Sequence, residues 1–556
     1  MTKKKLLLTG IVVVSALSYT PIVRATADVD SLVLDDDLFL ADADIPTEFE
    51  STGITRGGPL PVAGLALLSS LGAQDLVRTP LYLRTNPLMR VPLLDLPMFQ
   101  KFILYPKTPS MELEVFPFYG QTYNEHFYKN QDHIKYYIAL DDPTLISAIN
   151  NAEDLISLLT GEPKINIPEL LPLFHNLKAQ ERRTGFMTQF VKNFEGWSVL
   201  ARLPLYYQEH NLYLTPEEQQ AINDNPFFQQ FAGEDYMKFA RQHLICDAIG
   251  LGDTRINIEF FIYNAATYQW GCGLRVTLPT GCSFKKGLYG SAFPKDAPVP
   301  QLKLNEFFAT DILSTGELTQ EQSQQIFNYG EAVLDRLSTM LLNQPMGNGH
   351  HLGLGLFTHS RLRFSSWISL GSLTQVEVLL PSSAQRFFYV GPDLALYQSL
   401  DWSNPTVQIQ EKFNFLNNQL EQKFFPPLYS CVVFPGVVFQ NTTALLFEGE
   451  VWNNTAGTDL WIQSKEYISH VNVPQQSAPF LDISKSKMGA GYQAKLWGSI
   501  ERNPKKEFYW IRNKDDSRTR LVEISSWTLG LRGEIASNSY TAGGDWGISF
   551  YAKNEF

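Results

Sequence analysis

From residue 111 onward, apolar and polar residues repeatedly alternate one by one, in stretches of about ten residues. In 254–263, Ile256, Ile258, Phe260 and Ile262 share one face, and Arg255, Asn257 and Glu259 the other. In 267–278, Tyr268, Trp270, Leu274, Val276 and Leu278 alternate with Thr267, Gln269, Gly271, Gly273, Arg275 and Thr277. In 492–501, Tyr492, Ala494, Leu496 and Ile500 oppose Gln493, Lys495, Ser499 and Glu501. In 527–535, Trp527, Leu529, Leu531 and Ile535 oppose Thr528, Gly530, Arg532 and Glu534. A period of two is the period of a β-strand with two unlike faces.

The same pattern predicts strands over 111–119, 184–192, 196–207, 253–264, 267–279, 349–359, 361–380, 434–449, 456–467, 489–502, 521–535 and 544–556. That makes about 12 strands, within a range of roughly 10–14. Tight turns are expected near Lys192–Glu195, Asn264–Thr267, His359–Arg361 and Asn453–Gly457. Between them lie long insertions at 120–183, 208–252, 280–348 and 381–433. Short turns at one end and long loops at the other are the habit of a transmembrane β-barrel, with the short turns and both chain ends in the periplasm. The segment 503–520 is long for such a turn. A soluble antiparallel sandwich alternates in the same way. It has no reason to segregate loop lengths, to carry mixed charge on its polar face, or to begin and end strands at Trp197, Tyr206, Tyr263, Tyr268, Tyr492, Trp527 and Trp546.

The fold class expected is therefore all-β: an antiparallel transmembrane β-barrel over 111–556 with partly helical extracellular loops. Thr215 followed by Pro216, Glu217 and Glu218 opens one helix, and 234–247, 318–343 and 406–423 carry helical periodicity. These helices either pack on the barrel rim, narrow the lumen, or present a surface to a partner.

The first residues read as a secretory signal peptide over 1–27. Lys3, Lys4 and Lys5 form the basic region, Leu6 to Leu17 the apolar region, and Ala25-Thr26-Ala27 the cleavage site after Ala27. The apolar run is short for a membrane anchor. Residues 28–110 are acidic at first, then broken by Pro80, Pro87, Pro92 and Pro97. They suit a periplasmic lead-in or plug, partly disordered.

The net charge of -12 becomes more negative when the leader and its four cations Lys3, Lys4, Lys5 and Arg24 are removed. An acidic exported protein is a poor binder of nucleic acid. Charged residues at 18% and aromatics at 13% suit a chain whose outer wall meets lipid.

In the last strand, Trp546, Ile548, Phe550, Ala552, Asn554 and Phe556 form one face. With the leader and the strand pattern, this resembles the bacterial outer-membrane β-barrel superfamily, whose closing strand ends in Phe. Asn554 departs from the usual apolar residue there. Segments such as Gly250–Arg255 and Gly273–Gly281 look like hairpins of uncharacterised outer-membrane transport barrels. The resemblance implies Sec-type export to the cell outer membrane and insertion by the barrel-assembly machinery. Trp546, Ile548, Phe550 and Phe556 would be the assembly signal, with outer-membrane lipid and lipopolysaccharide as surroundings. A homo-oligomer is left open.

Phasing the strands puts Glu112, Glu114, Arg202, Arg255, Glu259, Arg275, Arg361, Arg363, Glu377, Lys495, Glu501, Arg532, Glu534 and Lys553 inside, as pore-lining residues. They either line a wet, porin-like channel for small polar or amphipathic solutes, or pair across the lumen and fill a non-conducting barrel serving as an adhesin or an envelope structure. Of Cys246, Cys272, Cys282 and Cys431, the pair Cys246 and Cys282 flanks one hairpin and is the expected disulfide. No cofactor, metal or catalytic residue is expected. The histidines do not cluster, and no His-x-Ser, Gly-x-Ser-x-Gly or His-Glu-x-x-His pattern occurs.

Overall fold

The computed structural model describes residues 111–122, 178–224, 236–292, 320–343, 345–391, 393–401, 407–449, 451–475, 477–502, 507–512, 519–524, 528–540 and 544–555. The expected leader, its cleavage at Ala27, the 28–110 lead-in, most of the first insertion and Phe556 lie outside them.

Twelve strands among these residues form a closed antiparallel barrel. They are β1 Met111–Thr122, β2 Lys178–Asn193, β3 Trp197–Tyr213, β4 Thr254–Asn264, β5 Tyr268–Leu278 and β6 Gly353–Arg363. The ring continues with β7 Ile368–Leu379, β8 Gly436–Glu448, β9 Trp452–Gln463, β10 Gly491–Arg502, β11 Thr528–Tyr540 and β12 Asp545–Glu555. Each pairs with its neighbours in chain order, and β12 returns to β1 in a register from Glu112 opposite Glu555 to Thr122 opposite Asp545. Closure leaves the ring no edge, so each strand's backbone groups find partners on both sides.

Outward residues are apolar and exposed, inward residues buried. Leu356 on the outside is 64% exposed, whereas Gln189 on the inside is 0% exposed. A continuous coat of Leu203, Leu274, Leu354, Val376, Leu445, Leu496, Leu531 and Phe550 surrounds the barrel. In water such a coat would be a large exposed apolar patch, whereas hydrocarbon accommodates it. Aromatic rings mark the rims. Trp197, Tyr263, Tyr268, Trp367 and Trp452 stand outward at the short-turn end. Trp546 packs against Tyr119, with ring centroids 5.5 Å apart, at the other end. Rings with one apolar and one polar end favour the membrane–water boundary. Tyr206, read from sequence as one of this girdle, instead points inward and is buried. No helix among the described residues is long and apolar enough to cross a membrane.

The turn at 194–196 is closed by Phe194 N–H donating to the Trp197 carbonyl at 2.9 Å. Gly196 there has φ 83°, a conformation that glycine adopts without steric cost. Between β6 and β7 the turn is Phe364–Trp367, not His359–Arg361. His359 and Arg361 belong to β6, and Ser365 Oγ accepts the Ile368 N–H at 3.1 Å to fix the real turn. Before β11, residues Thr519–Ile524 pair with Glu507–Arg512 in a separate hairpin, so the barrel strand starts at Thr528 and not at residue 521.

The long connections build a cap at the opposite end. Ser382–Phe387, Leu428–Phe434 and Tyr467–Ser469 form a three-stranded sheet around Phe388, Cys431, Val433 and Ile468. Glu466 clasps it, accepting from Arg386 Nη2 at 2.9 Å and Met488 N–H at 2.8 Å. Burial pushes the Glu466 carboxyl up, and the Arg386 cation opposes that shift. Helices among the described residues include α1 Pro216–Asp224, α2 Gln320–Leu342, α3 Leu394–Ser399 and α4 Ile409–Phe424. The α1 start is a capping box: Glu218 N–H donates to Thr215 Oγ1 at 3.3 Å and Thr215 N–H to Glu218 Oε2 at 2.7 Å. Arg336 of α2 lies 5.3 Å above the Phe387 ring and 6.0 Å above Phe425 at the end of α4, so two insertions interlock. The expected helix at 234–247 stops at Leu244, where Ile245–Leu251 becomes a strand on the outer part of β3. Cys282–Lys286 adds to that strand.

Placing Lys at position 356 puts a charge where the strand faces hydrocarbon, at a cost of about 2–4 kcal/mol. Leu356→Lys is expected to reduce the heat-modifiable barrel recovered in membranes strongly, and Leu356→Ile to leave it unchanged, on cold versus boiled gel mobility. Equal recovery of both would contradict the assigned outer face.

Candidate functional site

The interior is the place where this fold concentrates polar chemistry. Alternation sends every second residue of each strand inward, and in β1 these are Glu112, Glu114, Phe116, Phe118, Gly120 and Thr122, all buried. A buried ionised group is tolerable only with a partner, and the inward charges described below have partners on the same, the adjacent or the next-adjacent strand.

Near the short-turn rim, Glu112 accepts from Asn193 Nδ2 at 3.2 Å and pairs with Lys553 Nζ at 3.2 Å. Farther in, Arg202 Nε donates to Gln189 Oε1 at 2.7 Å, and Gln189 Nε2 donates to Glu114 at 2.5 Å. Ser198 Oγ donates to Glu259 at 3.0 Å, and His359 Nε2 lies 2.9 Å from the same carboxylate. Arg361 meets Glu448 and donates to Ser369 Oγ at 3.1 Å. Gln440 and Thr442 donate to Asp459 at 2.8 and 2.5 Å. Lys495 Nζ bridges Glu534 at 2.7 Å and Asp545 at 2.8 Å. Toward the loop rim, Glu181 meets Arg183 and His210. Acid and base are interspersed around the wall; they do not stand in opposed rows.

Between the polar groups runs a ring of inward apolar side chains. It includes Phe116, Met187, Leu200, Tyr206, Phe357, Leu446, Trp497 and Tyr551. Arg532 sits 5.3 Å from the Phe116 centroid and 4.6 Å from that of Tyr551, spreading its charge over two ring faces.

Glycine makes the second-neighbour contacts possible. In register, Glu501 of β10 faces Gly530 of β11, which faces Tyr551 of β12. Tyr551 Oη reaches across β11 to donate to Glu501 at 3.0 Å, through space that a Cβ on Gly530 would fill with overlap onto the tyrosine ring. Likewise Gly355 separates Arg275 from Glu377, which approach to 3.9 Å. A Cβ on Gly353 would strike the Glu377 carboxylate, which accepts from Thr277 Oγ1. On β5, the His359 ring covers Gly271 and the Phe357 ring covers Gly273.

Of the residues expected inside, Glu112, Glu114, Arg202, Glu259, Arg275, Arg361, Glu377, Lys495, Arg532 and Glu534 are buried in this network. Arg255, Glu501 and Lys553 are half-buried on the same inward phase. Arg363 is exposed at the short-turn rim, 3.1 Å from Glu448. Asn257 and Gln493, on the polar faces of their strands, are buried inside as well, and Gln189, Gln375, Gln440, Asp459 and Asp545 join them on the inward phase that the same period of two supplies once amides and Asp are counted with the charges. Trp546, Ile548 and Phe550 lie on the outer face of the closing strand. All four cysteines are thiols, and the expected Cys246–Cys282 bridge is not formed. Cys282 stands opposite Leu251, at the far end of the strand Ile245–Leu251 from Cys246, which stands opposite His210.

No protein-family model matches the sequence, and no curated protein matches it. Among solved structures, an outer membrane channel from Pseudomonas putida F1 is similar at TM-score 0.37 and 6% identity, over 82% of this chain and 98% of that one. The Pseudomonas putida toluene transporter TodX is similar at TM-score 0.30 and 9% identity, over 85% and 94%. The translocator domain of autotransporter NalP from Neisseria meningitidis gives TM-score 0.28 and 6% identity, over 83% and 93%. Likeness at this level says nothing of what this barrel carries.

Crowding Gly530 should be felt through Tyr551. Gly530→Ala is expected to cost about 1–3 kcal/mol in urea unfolding from lipid vesicles. The loss should be smaller in a Tyr551→Ser background, with a coupling above about 0.5 kcal/mol. Simple additivity would contradict the packing described.

Proposed function

We propose that the chain is a channel of the bacterial outer membrane that passes small polar or amphipathic solutes. The observation that carries this reading is the polar lining of a closed ring whose outer coat is apolar. It extends from Glu112 and Lys553 at one rim to Glu181 and Arg183 at the other. A barrel needed only as an anchor would be as stable, or more so, with apolar side chains inside, because the desolvation of buried ion pairs offsets much of their attraction. Ionic groups kept throughout the interior suit a path on which a polar solute exchanges hydration for wall contacts. The inward rings of Phe116, Tyr206 and Phe357 add apolar faces for an amphipathic one. No bond-breaking step belongs to this reading. Trp546, Ile548, Phe550 and Phe556 serve it as the strand that barrel-assembly machinery would engage, and lipopolysaccharide as the outer surroundings.

The test is planar-bilayer conductance of the chain refolded without residues 1–27. Stable steps that scale with salt are expected. Arg363→Gln, at the exposed rim, should move ion selectivity toward cations. A barrel that inserts, keeps heat-modifiable mobility and stays silent, both intact and after proteolytic trimming of its loops, would contradict the channel. That result would favour a non-conducting surface or structural barrel.

A further inference from the structure

The connection from α2 to β6 has no role in the wall network, yet it is built to a definite shape inside the barrel mouth. Met346 is 4% exposed and packs in the same apolar cluster as the inward Tyr206 and Phe118. The next residue, Gly347, donates its N–H to Tyr206 Oη at 3.3 Å. Asp253, between the strand Ile245–Leu251 and β4, holds the segment. Its carboxylate accepts from Asn348 N–H at 2.5 Å and from Gly281 N–H at 3.1 Å. Asn348 closes a turn on His351, donating to its carbonyl at 2.8 Å and accepting its N–H at 3.1 Å.

The backbone is committed to this path. Gly347, Gly349 and His350 have φ of 75°, 78° and 70°. A Cβ on Gly347 would lie 2.6 Å from both Asp253 carboxylate oxygens, so glycine is needed there for space as well as conformation. The two ends are tied as well. The Leu342 carbonyl lies 2.7 Å from His210 Nδ1, and His210 faces Glu181 on the wall. His351 Nδ1 lies 2.9 Å from both the Leu380 carbonyl and Ser382 Oγ. Burial pushes the Asp253 carboxyl up, while the Asn348 and Gly281 amides and the Arg255 and His350 side chains draw it back.

We propose that residues 345–351 form the constriction of the channel, with Met346 as the residue that narrows it and Asp253 as the residue that positions the loop. The inference rests on the channel reading above. Met346 is an unbranched, flexible side chain, able to yield to a passing solute and to repack against Tyr206 afterwards. Asp253 supplies a fixed acceptor pair, one oxygen taking the loop's Asn348 N–H and the other the Gly281 N–H, so it ties the loop to the segment that follows β5.

Conductance and liposome-swelling rates of the full barrel, in native form and as Met346→Gly, Asp253→Ala and Gly347→Val, test this. Heat-modifiable mobility first shows that each variant is folded. Met346→Gly removes the side chain only and leaves the loop's hydrogen bonds in place. It is expected to raise single-channel conductance about twofold and to admit larger sugars. Asp253→Ala and Gly347→Val are expected to add flicker between levels, as the loop loses its fixed seat. A conducting native barrel whose three variants match it in conductance, size limit and noise would overturn the constriction and leave the channel standing. Silence of the native barrel and of all folded variants would overturn the channel reading itself. A silent native barrel with conducting variants would support a constriction that is shut at rest.

Discussion

Everything in this molecule depends on the pairing of its first and last described strands. Hydrocarbon offers no hydrogen-bond partner to a peptide group, and an open sheet in lipid would leave a row of amides and carbonyls unpaired at several kcal/mol each. The β1–β12 register, from Glu112 opposite Glu555 to Thr122 opposite Asp545, removes that row. Once the ring is closed, the period of two does the rest. It gives each strand one face for lipid and one for the interior, and a shift by one residue would exchange them everywhere.

The interior meets a second constraint, which is room. Twelve strands enclose a space between that of eight-stranded barrels, which side chains fill, and that of the larger porins, which hold a water channel. Into it the sequence places carboxylates, guanidiniums and large rings together. Inward glycines reconcile them. Gly530, Gly355 and Gly353 let groups two strands apart meet across the one between, and Gly271 and Gly273 let His359 and Phe357 lie against the wall. The wall is thereby braced by contacts additional to the ladder hydrogen bonds. The Met346 loop, seated on Asp253, occupies part of the space that remains at the mouth.

Much of this was legible in the chain. The twelve alternating segments correspond to the twelve barrel strands, and the inward phase of Glu259, Arg275, Lys495 and Arg532 followed from parity alone. The difficulties have physical causes. Leu521, Val522 and Ile524 read as strand as readily as Leu529 and Leu531 do, but a local apolar pattern does not tell which partner a strand takes, and Thr519–Ile524 pairs with Glu507–Arg512. The β6–β7 turn was placed too early. Phe364 and Trp367 look like strand residues, although here they are rim aromatics flanking a serine turn. Tyr206 looks like a girdle residue until the register puts it inward over Gly185. The Cys246–Cys282 pairing failed on register: Cys282 stands opposite Leu251, at the other end of the strand from Cys246. The Asp253 seat was invisible because its partners are backbone amides from distant segments.

The most direct test of the account is the phase of one barrel strand in a lipid bilayer. Nitroxide labels placed one at a time at positions 492–500 of β10 would be read for collision with oxygen, which partitions into hydrocarbon. The account predicts a period of two, with high accessibility at Tyr492, Ala494, Leu496, Gly498 and Ile500 and low accessibility at Gln493, Lys495, Trp497 and Ser499. A flat profile, or one with the maxima on Lys495 and Trp497, would contradict it.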